Sequence, residues 1–294
     1  MIRWPAAAAC LVAMAAGAAA NADGAGPVWA IQGPNGGTVY LAGSVHVLDP
    51  AQSRLPPGFD TAYRDAEQLV MEIDFDDLDE LAAGEYLAAN GFLADGETLR
   101  TLLGPARFER LDREARKLGL PLDSVATLEP WAVAMGLLPM MFVKLDLDLA
   151  LGVERQLVAR ALADGKPIGG LETIEEQLAV LDGLSLEDQA TFLEQTLDEL
   201  DAAPTEVRRM IDAWRRADTG ALAHLLLDEY GKAPALYGAL VTARNQRWIP
   251  QIVALLARPD DTLVVVGALH LVGEDGLLEL LERRGITPRA LGSR

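Results

Sequence analysis

Two apolar runs, Val28-Trp29-Ala30-Ile31 and Thr38-Val39-Tyr40-Leu41, flank the stretch Gln32-Gly33-Pro34-Asn35-Gly36-Gly37. Short apolar runs on either side of an Asn-Gly-Gly turn predict a β-hairpin. The second run continues into Gly43-Ser44-Val45-His46, and Pro50, Pro56 and Pro57 mark a loop after it. Phe59, Ala62, Tyr63 and Ala66 fall on one face of a predicted helix running from Gly58 to Ala66. Gln68 to Phe75 then reads as a buried strand interrupted by the carboxylates Glu72 and Asp74.

From Leu78 to Asp164 the pattern is helical. Residues 97–118 carry Leu99, Leu102, Leu103, Phe108, Leu111 and Ala115 near helical spacing. Pro130 to Leu145 is almost wholly apolar, which predicts a buried helix or one lining a cavity, kinked at Pro139. Its stretch Leu137-Leu138-Pro139-Met140-Met141 suits core packing or the wall of a substrate groove. A helix from Gly152 to Leu162 is stopped by Gly165-Lys166-Pro167, and Ile168 to Glu172 follows as a short strand. Thr173 is placed to cap the next helix, with Glu176 completing a capping box. Helices near 186–200 and 205–217 are amphipathic, and one from Leu236 to Leu256 is interrupted by Pro250. Thr262 to Val266 is a strand, and Gly267-Ala268-Leu269-His270 leads to a helix over Glu274 to Arg284. Gly285 caps it, and residues 288–291 form an edge strand. Strands at both ends and helices between predict a single α/β domain over residues 23–294. Its central mixed sheet comes from the N- and C-terminal segments, with a large helical insertion over residues 78–257.

Composition narrows the setting. The formal charge of -19 argues against nucleic acid and anionic membrane surfaces as partners. Met1-Ile2-Arg3, the apolar run Ala6 to Ala20 and Ala20-Asn21-Ala22 predict a signal peptide over residues 1–22. Cleavage after Ala22 would release an exported chain, periplasmic or secreted, without a transmembrane segment. The single cysteine, Cys10, lies within that peptide, so the mature chain has no disulfide.

The chemistry centres on histidine. Two of the three histidines, His46 and His270, follow an apolar run by the same Gly-x-x-His spacing at opposite ends of the chain. A residue just past a strand's C-terminal end faces the crevice where open α/β sheets place their sites. The glycine three residues earlier is expected to let the backbone turn sharply. Glu72, at the end of a third apolar strand, adds a carboxylate to the same rim. Two imidazoles and a carboxylate form a common catalytic metal set, here His46, Glu72 and His270, suited to activating water. Glu172 or Asp74 is the candidate general base. Glu172 fits a second carboxylate near the site or could equally cap the helix after Thr173, and Glu154 is a weaker candidate for such a carboxylate. Arg244 suits holding a carboxylate or an oxyanion. Asn245 is adjacent to it, so on a helix the two point about 100° apart. His224 has no partner motif and reads as an ordinary helix residue. The mature chain has no cysteine nucleophile, and no Gly-x-Ser-x-Gly, Walker or His-Glu-x-x-His motif is present.

Gly43-x-x-His46, Glu72, Gly170-Leu171-Glu172-Thr173, Arg244-Asn245 and Gly267-x-x-His270-Leu271-x-Gly273 resemble the TraB/PrgY/GumN family, which includes the Tiki-type Wnt-inactivating proteases. The resemblance runs from about Val28 to Leu291 and implies a fold akin to the erythromycin-esterase and ChaN-like proteins. It also implies a metal-dependent hydrolase, a metallopeptidase acting on peptide or protein, with Mn²⁺ or Co²⁺ favoured and Zn²⁺ admissible. Catalytic roles would fall to Glu72, Glu172, Arg244 and Asn245. The ChaN-like relationship keeps a second function class open, a non-catalytic protein of the cell envelope that binds haem, another metal or a ligand, or acts as a regulatory partner.

Overall fold

In the computed structural model the described residues are 25–74, 80–200, 204–222, 224 and 233–291. The expected signal peptide, Phe75 and Leu78 lie outside them. Among the described residues the sheet has six strands: β1 (Val28–Gln32), β2 (Thr38–Ser44), β3 (Gln68–Ile73), β4 (Ile168–Glu172), β5 (Thr262–Gly267) and β6 (Arg289–Ala290). Their order is β4-β3-β5-β2-β1-β6. The first four run parallel, whereas β1 is antiparallel to both β2 and β6. The chain's two ends therefore meet in one sheet, as expected. A correction concerns β4, which comes from the middle of the chain and pairs with β3 at the far edge. The sheet does not draw on the terminal segments alone.

Sequence explains the contrast between strands. Parallel strands covered on both faces need continuous apolar runs. Every residue of β2 and β5 is buried. The hairpin strand β1 lies nearer the edge, and its Gln32 is exposed. Gly36, at φ 97°, closes the hairpin turn in a conformation other residues resist.

The helices that matter here are α1 (Pro57–Asp65), α2 (Glu80–Asn90), α3 (Leu99–Leu118), α4 (Pro130–Lys144), α5 (Val153–Asp164), α6 (Ile174–Asp182), α7 (Leu186–Leu200) and α8 (Pro204–Arg215). A turn at Pro234–Tyr237 and a π-helical stretch, Gly238–Thr242, lead into α9 (Ala243–Leu256), and α10 spans Leu277–Glu282. Helix α4 buries Trp131, Val133, Leu137 and Met141 in the core, and Trp214 of α8 donates through Nε1 to the Gly43 carbonyl at 2.8 Å. The Thr173–Glu176 capping box forms with both of its hydrogen bonds. No described helix is long and apolar enough to cross a membrane.

Three helices depart from expectation. Helix α3 is broken at Gly104 (φ 69°), because Pro105 disfavours a helical residue before it and glycine accepts the left-handed alternative. Helix α9 continues through Pro250, which lies on its exposed face, where the carbonyl left unbonded can take water. The irregularity in this region is instead the π-helical stretch. Helix α10 is shorter than residues 274–284, because Gly273 (φ 90°) opens a turn in which a Cβ on Gly276 would fall 2.4 Å from Val272 backbone.

Candidate active site

The four parallel strands deliver their C-terminal ends to one rim, where α/β sheets gather functional residues. Ser44 pairs with Gly267, and Ile73 pairs with Glu172. His46 thus follows β2, His270 lies in a 3-10 turn after β5, and Glu72 and Glu172 end β3 and β4. The motif glycines serve close approach and not sharp turning, since neither Gly43 nor Gly267 has a positive φ. A Cβ on Gly43 would sit 3.2 Å from Ala268. A Cβ on Gly267 would sit 3.1 Å from Glu72 Oε1, 3.7 Å from His270 Cδ2 and 3.9 Å from His46 Nε2. The two histidines and Glu72 therefore gather around Gly267, where a side chain on residue 267 would press on Glu72.

His46 is oriented by α5. A Cβ on Gly152 would collide with the His46 carbonyl at 2.1 Å, so glycine lets this helix start against the β2 turn. Val153 N donates to the Val45 carbonyl at 3.1 Å, and Glu154 reaches His46 Nδ1 at 2.7 Å. Ser44 Oγ donates to the same Glu154 oxygen. Burial disfavours charge on His46, but the adjacent Glu154 carboxylate outweighs it and pushes the pKa up to about 9.

His270 is oriented by α9. Its Nδ1–H donates to Asn245 Oδ1 at 2.8 Å, while Asn245 Nδ2 donates to the His270 and Asp275 carbonyls. Arg244 Nη1 donates to His270 Nε2 at 3.1 Å, so the adjacent residues address opposite nitrogens of one ring. Trp248 covers that ring, with centroids 4.4 Å apart. Burial pushes the His270 pKa down to about 3 despite the nearby Glu72 carboxylate.

Arg244 ties the rim together. Its Nη2 donates to Glu72 Oε2 at 2.6 Å, its Nε donates to Glu172 Oε1 at 2.9 Å, and its guanidinium lies 4.6 Å from the Trp248 ring centre. Glu72 Oε1 accepts from Gly267 N at 2.6 Å. Burial favours protonated Glu72, but the Arg244 charge outweighs it and holds the pKa at about 2. Gln177 Nε2 bridges Glu72 and Glu172 at 3.3 and 3.4 Å.

The predicted residues His46, Glu72, Glu172, Arg244, Asn245 and His270 thus meet in one cluster, with Glu154 behind it. Asp74 lies just past β3 and lines a separate cleft shared with Glu172 and Glu176. His224 is helical and exposed. Sequence reasoning missed Gln177, which sits one turn after the Thr173 cap and carries no motif. With Arg244 on Glu72 and on His270 Nε2, no group of three or more His, Cys, Asp or Glu among the described residues is arranged to hold a metal ion.

The profile of the TraB/PrgY/gumN family matches residues 27–290. The uncharacterized protein YbaP of Escherichia coli (strain K12) is 27% identical over 243 residues, covering 82% of this chain and 87% of that protein. The uncharacterized protein YbaP of Shigella flexneri matches to the same extent. No solved structure matches.

Proposed function

Because the chain belongs to the TraB/PrgY/gumN family, we propose that the cluster is the centre of an exported metal-dependent hydrolase that cleaves peptide bonds. The ligands are His46, Glu72 and His270, and the ion is Mn²⁺ or Co²⁺ ahead of Zn²⁺. The observation that carries this reading is that His46, Glu72 and His270 all come within 4 Å of one position beside Gly267.

The donor types, two imidazoles and a carboxylate, suit such an ion, with Arg244 now occupying Glu72 Oε2 and His270 Nε2. Both imidazoles have Nδ1 held by a fixed oxygen, Glu154 for His46 and Asn245 for His270. Metal-ligating histidines are oriented in this way, with the other nitrogen directed to the ion. A bound divalent cation would supply Lewis-acid polarisation of a water or carbonyl oxygen. With a cation on His270 Nε2, Arg244 would lose that contact and would stay anchored through Nε on Glu172. Its Nη groups then serve the charge developing on a substrate oxygen. Glu172 and Asn245 act as positioning residues, the first for Arg244 and the second for His270. The fold is read as erythromycin-esterase/ChaN-like, on the family resemblance and the mixed sheet with its helical insertion.

The test combines metal content with turnover. Purified wild type should take up one Mn²⁺ or Co²⁺, His46→Ala and His270→Ala should lose it, and a peptide library should be cut only by the loaded wild type. Full metal stoichiometry in both histidine variants would overturn the shared site. Stoichiometric metal without cleavage of any peptide would favour the non-catalytic binding reading.

A further inference from the structure

Beside the polar cluster lies a pocket of about 170 Å³ whose remaining wall is almost wholly apolar. His46, Glu72 and Arg244 form one end. Gln177 joins them, and the apolar wall includes Met135 and Leu138 of α4, Leu181 of α6, Phe192 of α7 and Leu240 of the π-helical stretch. Leu138, Leu181, Phe192 and Leu240 are buried, whereas Met135 is 37% exposed and Gln177, Leu178 and Val180 are half-buried, so these four mark the solvent side of the pocket. Met135 and Leu138 are three residues apart on one helix and so present neighbouring side chains. The apolar helix α4 therefore has two duties, core packing through Trp131 and Leu137 and a pocket wall through Met135 and Leu138.

Size and chemistry limit the occupant. An apolar cavity of about 150 Å³ is large enough to hold benzene. This pocket thus accommodates one isobutyl, thioether or benzyl group. Acidic or basic groups are disfavoured, because they would lose their hydration against apolar walls. Glu72, the carboxylate at the polar end, already has Arg244 on one oxygen and Gly267 N on the other.

We propose that this is the specificity pocket of the hydrolytic site. It takes one aliphatic or benzyl side chain of the substrate, that of Leu, Met or Phe, and thereby places the adjoining backbone carbonyl against His46, Glu72 and Arg244. The proposal rests on the hydrolytic reading for the second half of that statement and on the pocket alone for the first.

The experiment has two arms on the full chain. In the first, methyl-labelled methionine is followed by NMR, with the Met135 resonance assigned from Met135→Leu. N-acetyl-leucinamide and N-acetyl-phenylalaninamide should shift that resonance saturably and bind about 10- to 100-fold more tightly than N-acetyl-glycinamide, the gain expected from burying one such side chain. The amide of N-acetyl-aspartate should leave it unmoved. Equal shifts from all four, or none, would overturn the pocket assignment. In the second arm, Mn²⁺-loaded protein is given peptides that differ at one position. Cleavage should favour Leu and Phe over Gly and Asp by at least about 10-fold in kcat/KM, and Leu138→Phe, which fills the pocket, should shift the preference to Ala. Cleavage without that preference overturns the specificity pocket and leaves the hydrolytic reading standing. Tight binding of the leucine amide with no cleavage of any peptide overturns the hydrolytic reading and leaves an apolar binding pocket. The wild-type ligand series decides the first arm even if Leu138→Phe fails to fold.

Discussion

His46 and His270 leave adjacent parallel strands by the same Gly-x-x-His spacing, yet they stand in opposite electrostatic settings. His46 keeps 27% of its side chain exposed and bonds to the Glu154 carboxylate. His270 is buried under Trp248, bonds to an uncharged amide and has a guanidinium on its other nitrogen. In the metal-free protein the first ring is held charged and the second neutral at pH 7. The motif fixes where each imidazole stands, while the Glu154 carboxylate holds the first ring charged and burial holds the second neutral. A repeated motif therefore builds a site of unlike halves, one accessible and cationic, the other dry and dependent on Arg244.

The largest test of that asymmetry removes Arg244. Arg244→Gln leaves Glu72 and Glu172 buried beside each other without their shared cation. Breaking a buried pair in this way costs about 3–5 kcal/mol. Glu154→Gln, on the more accessible half, should cost less, because Gln can still accept from His46 and Ser44. Urea unfolding of both variants at pH 7 measures the difference. If Arg244→Gln is no more costly than Glu154→Gln, the charge network is not concentrated on the His270 side.

The motif glycines offer a second, smaller contrast. A methyl added at Gly43 meets Ala268 and Leu271 at 3.0–3.2 Å, so Gly43→Ala should overpack the strand end and cost about 1–3 kcal/mol. A methyl added at Gly267 enters the point where Glu72, His270 and His46 converge. Gly267→Ala should therefore lower Mn²⁺ affinity by about 10-fold or more, the scale of effects seen when groups around a metal are displaced. Unfolding and calorimetric metal titration of the two variants separate these outcomes. An equal loss of metal affinity in both would mean that the glycines share one structural role.

Much of this was legible because the signals are local. Asn35-Gly36-Gly37 announces its turn, the apolar runs announce strands, and Thr173 with Glu176 announces a helix start. The site was legible for a related reason: strand ends in a parallel sheet must meet at one rim, so residues following strands can be gathered without knowing strand order. What escaped depends on packing between distant segments. Nothing near Glu154 marks it as the partner of His46; only the clearance at Gly152, visible once the His46 carbonyl lies against it, explains the placement. The π-helical stretch before α9 has no composition of its own to betray it. The break at Gly104-Pro105 is a different case, since Gly-Pro is a stop signal that helical spacing on both sides obscured.

The finest distinction between the halves is their response to pH in metal-free, EDTA-treated protein. His46 has a folded pKa of about 9 against an ordinary 6.5. Its ion pair with Glu154 therefore contributes stability that is fully present below pH 6.5 and lost as pH rises to 9. His270 has a folded pKa of about 3. Its contribution is present above pH 6.5 and lost as pH falls toward 3. Glu72, held at about 2 against an ordinary 4.5, adds to the acid limb only below pH 4.5. The interval from 4.5 to 6.5 thus reports on His270 and that from 6.5 to 9 on His46. Glu154→Gln should flatten the alkaline limb of the unfolding free energy against pH while leaving the interval from 4.5 to 6.5 in place. Below 4.5 it also removes the contribution of Glu154, whose own pKa, despite burial, is lowered by His46 and Ser44. Nitrogen-15 NMR of the imidazoles, assigned with single histidine variants, should show His46 protonated and His270 neutral at pH 7. Two rings titrating together near 6.5 would mean that Glu154 on one side and burial on the other do not set the charges, and the asymmetry would be one of position alone.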